Sequence, residues 1–259
     1  MVNREQQRIT CYGCWRKIEL CLCEHIEPFE SQTEFILLMH PKEAKKQKLG
    51  TGRLSHALVK NSKIITGVNL DQEAELQEIL NDPHRHVELM YLGLDPSFID
   101  APNIPAAWKS NIVEQNKKLT ILILDATWPC AKKMMKLSTC LHQLPITSFK
   151  KPYTSKFVIK HQPNPHCLST IETIYYSLLG LDQMGLEREI IQDAEKLMTI
   201  FQRMIDFQIR CAEDPNIPSS RGLKAKATPA KVRIREKKNR LFYWDVETSP
   251  AGTAPRRES

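Results

Sequence analysis

The chain has 259 residues, of which 41% are hydrophobic and 26% are charged, and its formal net charge is +7. These values suit one large α/β domain with small additions, and they exclude a fibrous or wholly disordered chain. No apolar run is long enough to span a bilayer, and residues 1–11 lack the apolar core of a signal peptide. We therefore expect a cytoplasmic protein with no membrane partner.

Four of the eight cysteines lie near the N-terminus, as Cys11, Cys14, Cys21 and Cys23. Because cytosolic cysteines stay reduced, such a cluster favours metal over disulfides. Four thiolates can complete the tetrahedral shell of a structural zinc ion. The alternative is two unrelated reactive pairs or a redox-active Cys-x-x-Cys. On the zinc interpretation, residues 1–30 form a small cysteine-rich zinc-binding segment.

The following residues, 31–213, alternate between apolar runs and amphipathic stretches. The apolar runs predict strands at 34–39, 62–66, 87–92, 119–124, 143–149 and 155–159. Apolar spacing predicts helices at 53–60, 70–80, 171–181 and 187–211, with another that begins at Pro129. A polar loop is expected after Pro41, and a proline-containing loop at 95–111. This alternation predicts an α/β domain with a mostly parallel sheet.

Residues 214–259 are rich in Pro, Ser and Lys and form a basic, flexible C-terminal tail in our interpretation. Between Arg221 and Arg240 there are nine basic residues and one acidic residue. Such a run is a candidate for contact with phosphate groups. The alternative is a solvated tail without a partner.

The turn after the most apolar strand contains Asp125, Thr127 and Trp128. In open α/β sheets ligands bind beyond the carboxyl ends of the strands, so Asp125 is a candidate base. Trp128 offers a flat face on which a nucleobase can stack. The alternative is structural: Asp125 caps the next helix and Trp128 fills the core.

This turn, Asp125-Ala126-Thr127-Trp128, resembles the Asp-x-Thr-Trp signature of the DTW-domain family. Other blocks of the family match in the same order over about residues 11 to 180. They are the four cysteines, His40-Pro41-Lys42-Glu43, Thr51-Gly52-Arg53-Leu54, Ala131-Lys132-Lys133-Met134 and Leu168-Ser169-Thr170-Ile171-Glu172. The chain departs from the family where Lys160 stands in place of an arginine ahead of Leu168.

The resemblance implies a SPOUT-like, knotted α/β fold and transfer of the aminocarboxypropyl group of S-adenosylmethionine to a uridine in tRNA. The family directs uridine N3 to the methionine Cγ, and methylthioadenosine is released. Because N3 carries a proton, a nearby carboxylate is needed, and Asp125 is the candidate catalytic base. Two alternatives remain open, a SPOUT-like RNA methyltransferase and a non-catalytic zinc-containing RNA-binding protein.

The matched blocks also supply candidates for binding S-adenosylmethionine. They are Thr51, Gly52, Arg53, Thr127, Trp128, Leu168, Ser169 and Thr170. Gly52 permits close backbone approach, although it equally fits a simple turn. Ser169 and Glu172 have the spacing of a helix capping box, and that helix N-terminus can also face an anionic ligand. The candidate RNA-binding residues are Lys132, Lys133 and Lys136, whose alternative is a solvated helix face.

Overall fold

The computed structural model describes residues 11, 21–46, 50–92, 96–159 and 166–213. The strands are β1 (Glu34–Met39), β2 (Ser62–Thr66), β3 (Arg85–Met90), β4 (Ser97–Phe98), β5 (Lys118–Asp125) and β6 (Ile146–Ser148). They form one parallel sheet in the order β2-β1-β5-β3-β6-β4. The helices are α1 (Pro41–Lys46), α2 (Thr51–Leu58), α3 (Ala74–Asn81), α4 (Ala106–Trp108), α5 (Trp128–Leu137), α6 (Thr170–Gln183) and α7 (Ile191–Glu213).

Helices cover both faces of the sheet, which is why the central strands are apolar almost throughout. Phe35 and Leu37 of β1 pack into one hydrophobic cluster with residues of α2, α6 and α7. Ile36 and Leu38 point the other way and pack with residues of α3 and α5. The alternating sequence positions of β1 therefore fill two separate cores. Among the described helices, none combines the length and the apolarity needed to cross a membrane.

An ionic network joins β1, β3 and β5 at the edge of the sheet where these strands begin. Glu34 is buried and forms an ion pair with Arg85. Its carboxylate also accepts a hydrogen bond of 3.3 Å from Thr120 Oγ1 and lies 3.7 Å from Lys118 Nζ. Arg85 Nε lies 2.9 Å from Asp82 Oδ2. These contacts fix the relative register of the three strands, because a slip would separate the charges.

Most predicted elements are confirmed, and the strand predicted at 155–159 is wrong. That segment is irregular because its backbone is held by a helix cap instead of a neighbouring strand: Ser155 Oγ and Lys156 N donate to Glu172 at 2.8 and 2.6 Å. The polar loop expected after Pro41 overlaps α1, and the loop expected at 95–111 contains β4 and α4. Lys160 and the tail at 214–259 lie outside the described residues.

Candidate active site

Asp125 is the last residue of β5 and lies at the edge where the parallel strands end. Met39, the last residue of β1, pairs with it, and His40 N donates to the Asp125 carbonyl oxygen at 3.1 Å. The side chain of Asp125 is buried, with a residue exposure of 8%. The carboxylate therefore lies at the sheet edge where ligands bind in folds of this class.

Two helices begin beside the Asp125 carboxylate. Thr170, the first residue of α6, donates its hydroxyl to Asp125 Oδ1 at 2.6 Å. Gly52, the second residue of α2, packs so closely that a Cβ there would lie 2.6 Å from Asp125 Cγ. Helix N-termini carry partial positive charge, so both helix ends attract the Asp125 carboxylate. Gly52 is needed for this close approach, beyond any role in a turn.

The N-terminus of α6 has the predicted capping box. Ser169 N donates to Glu172 Oε2 at 2.8 Å, and the Ser169 hydroxyl lies 2.6 Å from the same oxygen. Glu172 is fully buried, and it also accepts the hydrogen bonds from Ser155 and Lys156 described above. The cap thus holds both Thr170 and the loop that follows β6. Leu168 is half-buried just before the cap.

Asp125 does not cap the next helix and Trp128 does not fill the core, as the alternative interpretation would require. Thr127, and not Asp125, is the N-cap of α5, and Ala131 N donates to its carbonyl oxygen at 2.8 Å. Trp128 is half-buried and is not part of either core cluster. The candidate lysines of α5, which are Lys132, Lys133 and Lys136, are all exposed. The turn therefore leaves Asp125 and Trp128 available for other roles.

Two basic side chains lie in the segments beside Asp125. Arg53 Nη2 donates to the Ala44 carbonyl oxygen at 3.0 Å and so links α2 to α1. His40 is buried, and burial, together with the charges of Lys42 and Lys133, lowers its pKa. Lys42 N donates to His40 Nδ1 at 3.0 Å, so the proton of the neutral ring is on Nε2. Thr51, the first residue of α2, is buried.

The loop after β6 contains a feature that sequence reasoning missed. Asp100 is buried and accepts the backbone N–H groups of Lys150 and Lys151 at 2.6 and 2.9 Å. Tyr153 follows, and burial together with Asp100 raises its pKa to about 12. The partners are 50 residues apart in sequence, so no local pattern signals this contact.

Three of the four predicted metal ligands converge. The sulfur atoms of Cys11, Cys21 and Cys23 lie within 4.8 Å of one another, and Cys14 lies outside the described residues. Cys11 Sγ and Cys23 Sγ are 3.5 Å apart, too far for the roughly 2.05 Å of a disulfide bond. Three converging thiols fit the sulfur-rich shell of a structural zinc ion.

Comparison with known proteins shows the family to which this chain belongs. The family model of the DTW domain matches residues 8–209, so the chain belongs to the DTW domain family. Its curated relatives include tRNA-uridine aminocarboxypropyltransferase 2 of Macaca fascicularis, which is 24% identical over 93% of this chain and 78% of that protein. The Drosophila melanogaster protein of the same name is 27% identical over 68% of each chain. The tRNA-uridine aminocarboxypropyltransferase A of Arabidopsis thaliana is 25% identical over 80% of this chain and 83% of that protein. No solved structure matches.

Proposed function

We propose that this protein transfers the 3-amino-3-carboxypropyl group of S-adenosylmethionine to N3 of a uridine in tRNA. The observation that carries the proposal is the position of the Asp125 carboxylate, held by Thr170 at the ligand-binding edge of the sheet. The names of the curated relatives support the same activity and the same class of substrate.

In the proposed reaction Asp125 accepts the N3 proton of the uridine as N3 attacks the methionine Cγ. The N3–Cγ bond forms and the Cγ–S bond breaks, and its electron pair returns to sulfur. Methylthioadenosine then leaves as a neutral thioether. The hydrogen bond from Thr170 to Oδ1 would fix the orientation of the carboxylate relative to the uridine.

The donor would bind where the matched family blocks meet around Asp125. We propose that the half-buried Trp128 contacts the adenine ring and that Arg53 contacts the methionine carboxylate. Arg53 suits this role because its Nε is buried without a hydrogen-bond partner among the described residues. The other proposed contacts come from the two helix N-termini and the DTW turn, through Thr51, Gly52, Thr127, Leu168, Ser169 and Thr170.

The tRNA would approach the same edge of the sheet. Lys132, Lys133 and Lys136 are exposed on α5, which begins three residues after the proposed base, and they suit contact with phosphate groups. The basic residues of the tail at 214–259 would add to this attraction. Residues 31–213 would form the catalytic domain, and the knotted SPOUT-like path of the chain and its cytoplasmic location stay predictions.

The cysteine cluster would hold a structural zinc ion through Cys11, Cys14, Cys21 and Cys23 in residues 1–30. The convergence of three of these thiols supports this proposal. The ion would stabilise the N-terminal segment and would take no part in the transfer reaction.

The decisive experiment incubates purified protein with S-adenosylmethionine and tRNA that lacks the modification. Mass spectrometry then measures 3-(3-amino-3-carboxypropyl)uridine and the small product. We expect methylthioadenosine, and S-adenosylhomocysteine would indicate the methyltransferase instead. Asp125→Asn should lower the rate by roughly 100-fold to 10,000-fold, the usual contribution of a general base. The matched control is Asp206→Asn at an exposed position of α7, which should leave the rate unchanged. Full activity of Asp125→Asn would contradict the proposed mechanism.

A further inference from the structure

A cluster of aromatic side chains lies outside the residues that the proposed function uses. The rings of Tyr153 and Tyr176 are stacked, with centroids 4.0 Å apart and planes inclined by 20°. Phe149 meets both of them edge-on, at 5.3 and 6.4 Å. All three residues are half-buried, so the stack is partly open to solvent. We call Tyr153 and Tyr176 the tyrosine stack.

The tyrosine stack is close to Asp125. Tyr176 lies on α6 six positions after Thr170, whose hydroxyl contacts the Asp125 carboxylate. At a rise of about 1.5 Å per residue, this separation is roughly 9 Å along the helix. Phe149 directly follows β6, a parallel strand of the same sheet, so it lies at the same edge as Asp125. The tyrosine stack, which Phe149 contacts, therefore lies toward the same edge of the sheet as Asp125.

Buried carboxylates hold the loop that presents Tyr153 from both sides. Asp100 accepts the backbone N–H groups of Lys150 and Lys151. Glu172 accepts the hydroxyl of Ser155 and the backbone N–H group of Lys156. The ring of Tyr153 is thus fixed before any ligand arrives, which lowers the entropic cost of binding.

The charge around the stack favours RNA over the cofactor. Lys150, Lys151 and Lys156 are exposed, whereas Asp100 and Glu172 are buried and hydrogen-bonded within the protein. Glu195, a further acidic residue near the stack, accepts the hydroxyl of Tyr175. Exposed lysines beside stacked rings suit a strand that carries bases and phosphates. S-adenosylmethionine carries a sulfonium cation and no phosphate, so the same lysines repel it.

We propose that the tyrosine stack binds a nucleobase of the tRNA close to the modified uridine, and that Lys150 and Lys151 contact the adjoining phosphates. The stack would act as a positioning site that holds the strand while the target uridine reaches Asp125. This inference rests on the proposed function for the identity of the RNA. The aromatic contact is indifferent to base identity, because every base has a face that can stack.

The test compares Tyr153→Leu, which removes the aromatic face, with Tyr153→Phe, which keeps it. We expect Tyr153→Leu to weaken tRNA binding without S-adenosylmethionine by roughly 10-fold and to raise the KM for tRNA equally. Because Tyr153→Phe keeps the ring, its Kd and KM for tRNA should stay within about twofold of the values for the wild-type protein. The KM for S-adenosylmethionine should not change in either variant. A higher KM for S-adenosylmethionine with unchanged tRNA binding would show that the stack serves the cofactor, and it would overturn the proposal. Equal tRNA binding by the two variants would also overturn it.

A second variant covers the case in which Tyr153→Leu does not fold, judged by its thermal melt. Lys150→Gln with Lys151→Gln leaves the rings and the held backbone in place. It should flatten the salt dependence of tRNA binding by about one to two units of slope in log Kd against log salt. An unchanged slope would overturn the phosphate contacts. Tight tRNA binding that depends on Tyr153, without any modified uridine product, would instead refute the proposed function and leave the stack as an RNA site.

Discussion

Gly52→Ala tests the geometry of the site with one added methyl group. A Cβ at residue 52 would lie 2.6 Å from Asp125 Cγ, whereas ordinary contacts begin near 3.4 Å. The carboxyl group or the first turn of α2 must therefore move by at least roughly 0.8 Å, because Asp125 Oδ2 lies even closer than Cγ and the dense interior leaves no room. A displacement of about 1 Å in a catalytic group can cost roughly 100-fold in rate. We expect the kcat for tRNA modification to fall by this order.

The same substitution should change stability only modestly. Alanine is more favourable than glycine inside a helix by about 1 kcal/mol, and overpacking costs about 1–3 kcal/mol. The two effects oppose each other, so the free energy of unfolding should fall by no more than about 2 kcal/mol. Urea unfolding measures this quantity, and release of methylthioadenosine measures the rate.

The matched control is Gly185→Ala, at a position with a φ of +74° and no atom within 4 Å of an added Cβ. Strain in the left-handed region should lower its stability by about 1–2 kcal/mol, while kcat stays unchanged. A Gly52→Ala protein with full kcat would refute the close packing of α2 on Asp125. Equal losses of kcat in both variants would attribute the effect to general destabilisation.

Three other perturbations address the rest of the molecule. Arg85→Met should lower the free energy of unfolding by about 3–5 kcal/mol, because it removes the ion-pair partner of the buried Glu34 carboxylate. A loss below about 1 kcal/mol in urea unfolding would contradict the ionic network. Burial lowers the pKa of His40 and of His56, so the unfolded chain takes up more protons than the folded chain as the pH falls below about 6.5, and stability is lost there. His40→Asn and His56→Asn should each reduce the difference in urea midpoint between pH 7 and pH 5.5. An unchanged difference in both variants would show that these two histidines do not cause the loss of stability. Cys23→Ser should lower both the zinc content, measured by mass spectrometry, and the melting temperature. A wild-type protein that is fully stable without bound metal would exclude the zinc site.

The strands were most predictable where burial on both faces leaves a continuous apolar run. β1 has the predicted bounds, and β5 extends the predicted run by one residue at each end, to Lys118 and Asp125. The strand predicted at 143–149 shrinks to Ile146–Ser148, because its first residues are taken up by the 3-10 turn Thr139–Gln143 and the bend that follows. β4 has only two residues, too few for any periodic pattern.

Contacts between distant segments limited what the sequence could predict. The segment at 155–159 has an apolar composition, yet it lacks a strand partner because Glu172 holds its backbone. α7 begins at Ile191 instead of at residue 187. Glu189 has a φ of +52°, which is incompatible with a right-handed helix that includes this residue. Neither feature follows from a local sequence pattern.

The site shows the same division between local and distant information. The capping interaction of Ser169 with Glu172 follows from their spacing of three, and it is present. That Thr170 then meets Asp125 across 45 residues follows only from the fold, which brings α6 to the end of β5. The capping motif and the proposed active site therefore coincide here for a physical reason. The cap must fix the first turn of α6 because that turn holds the carboxylate, so loss of the cap should move Asp125 as well as weaken the helix.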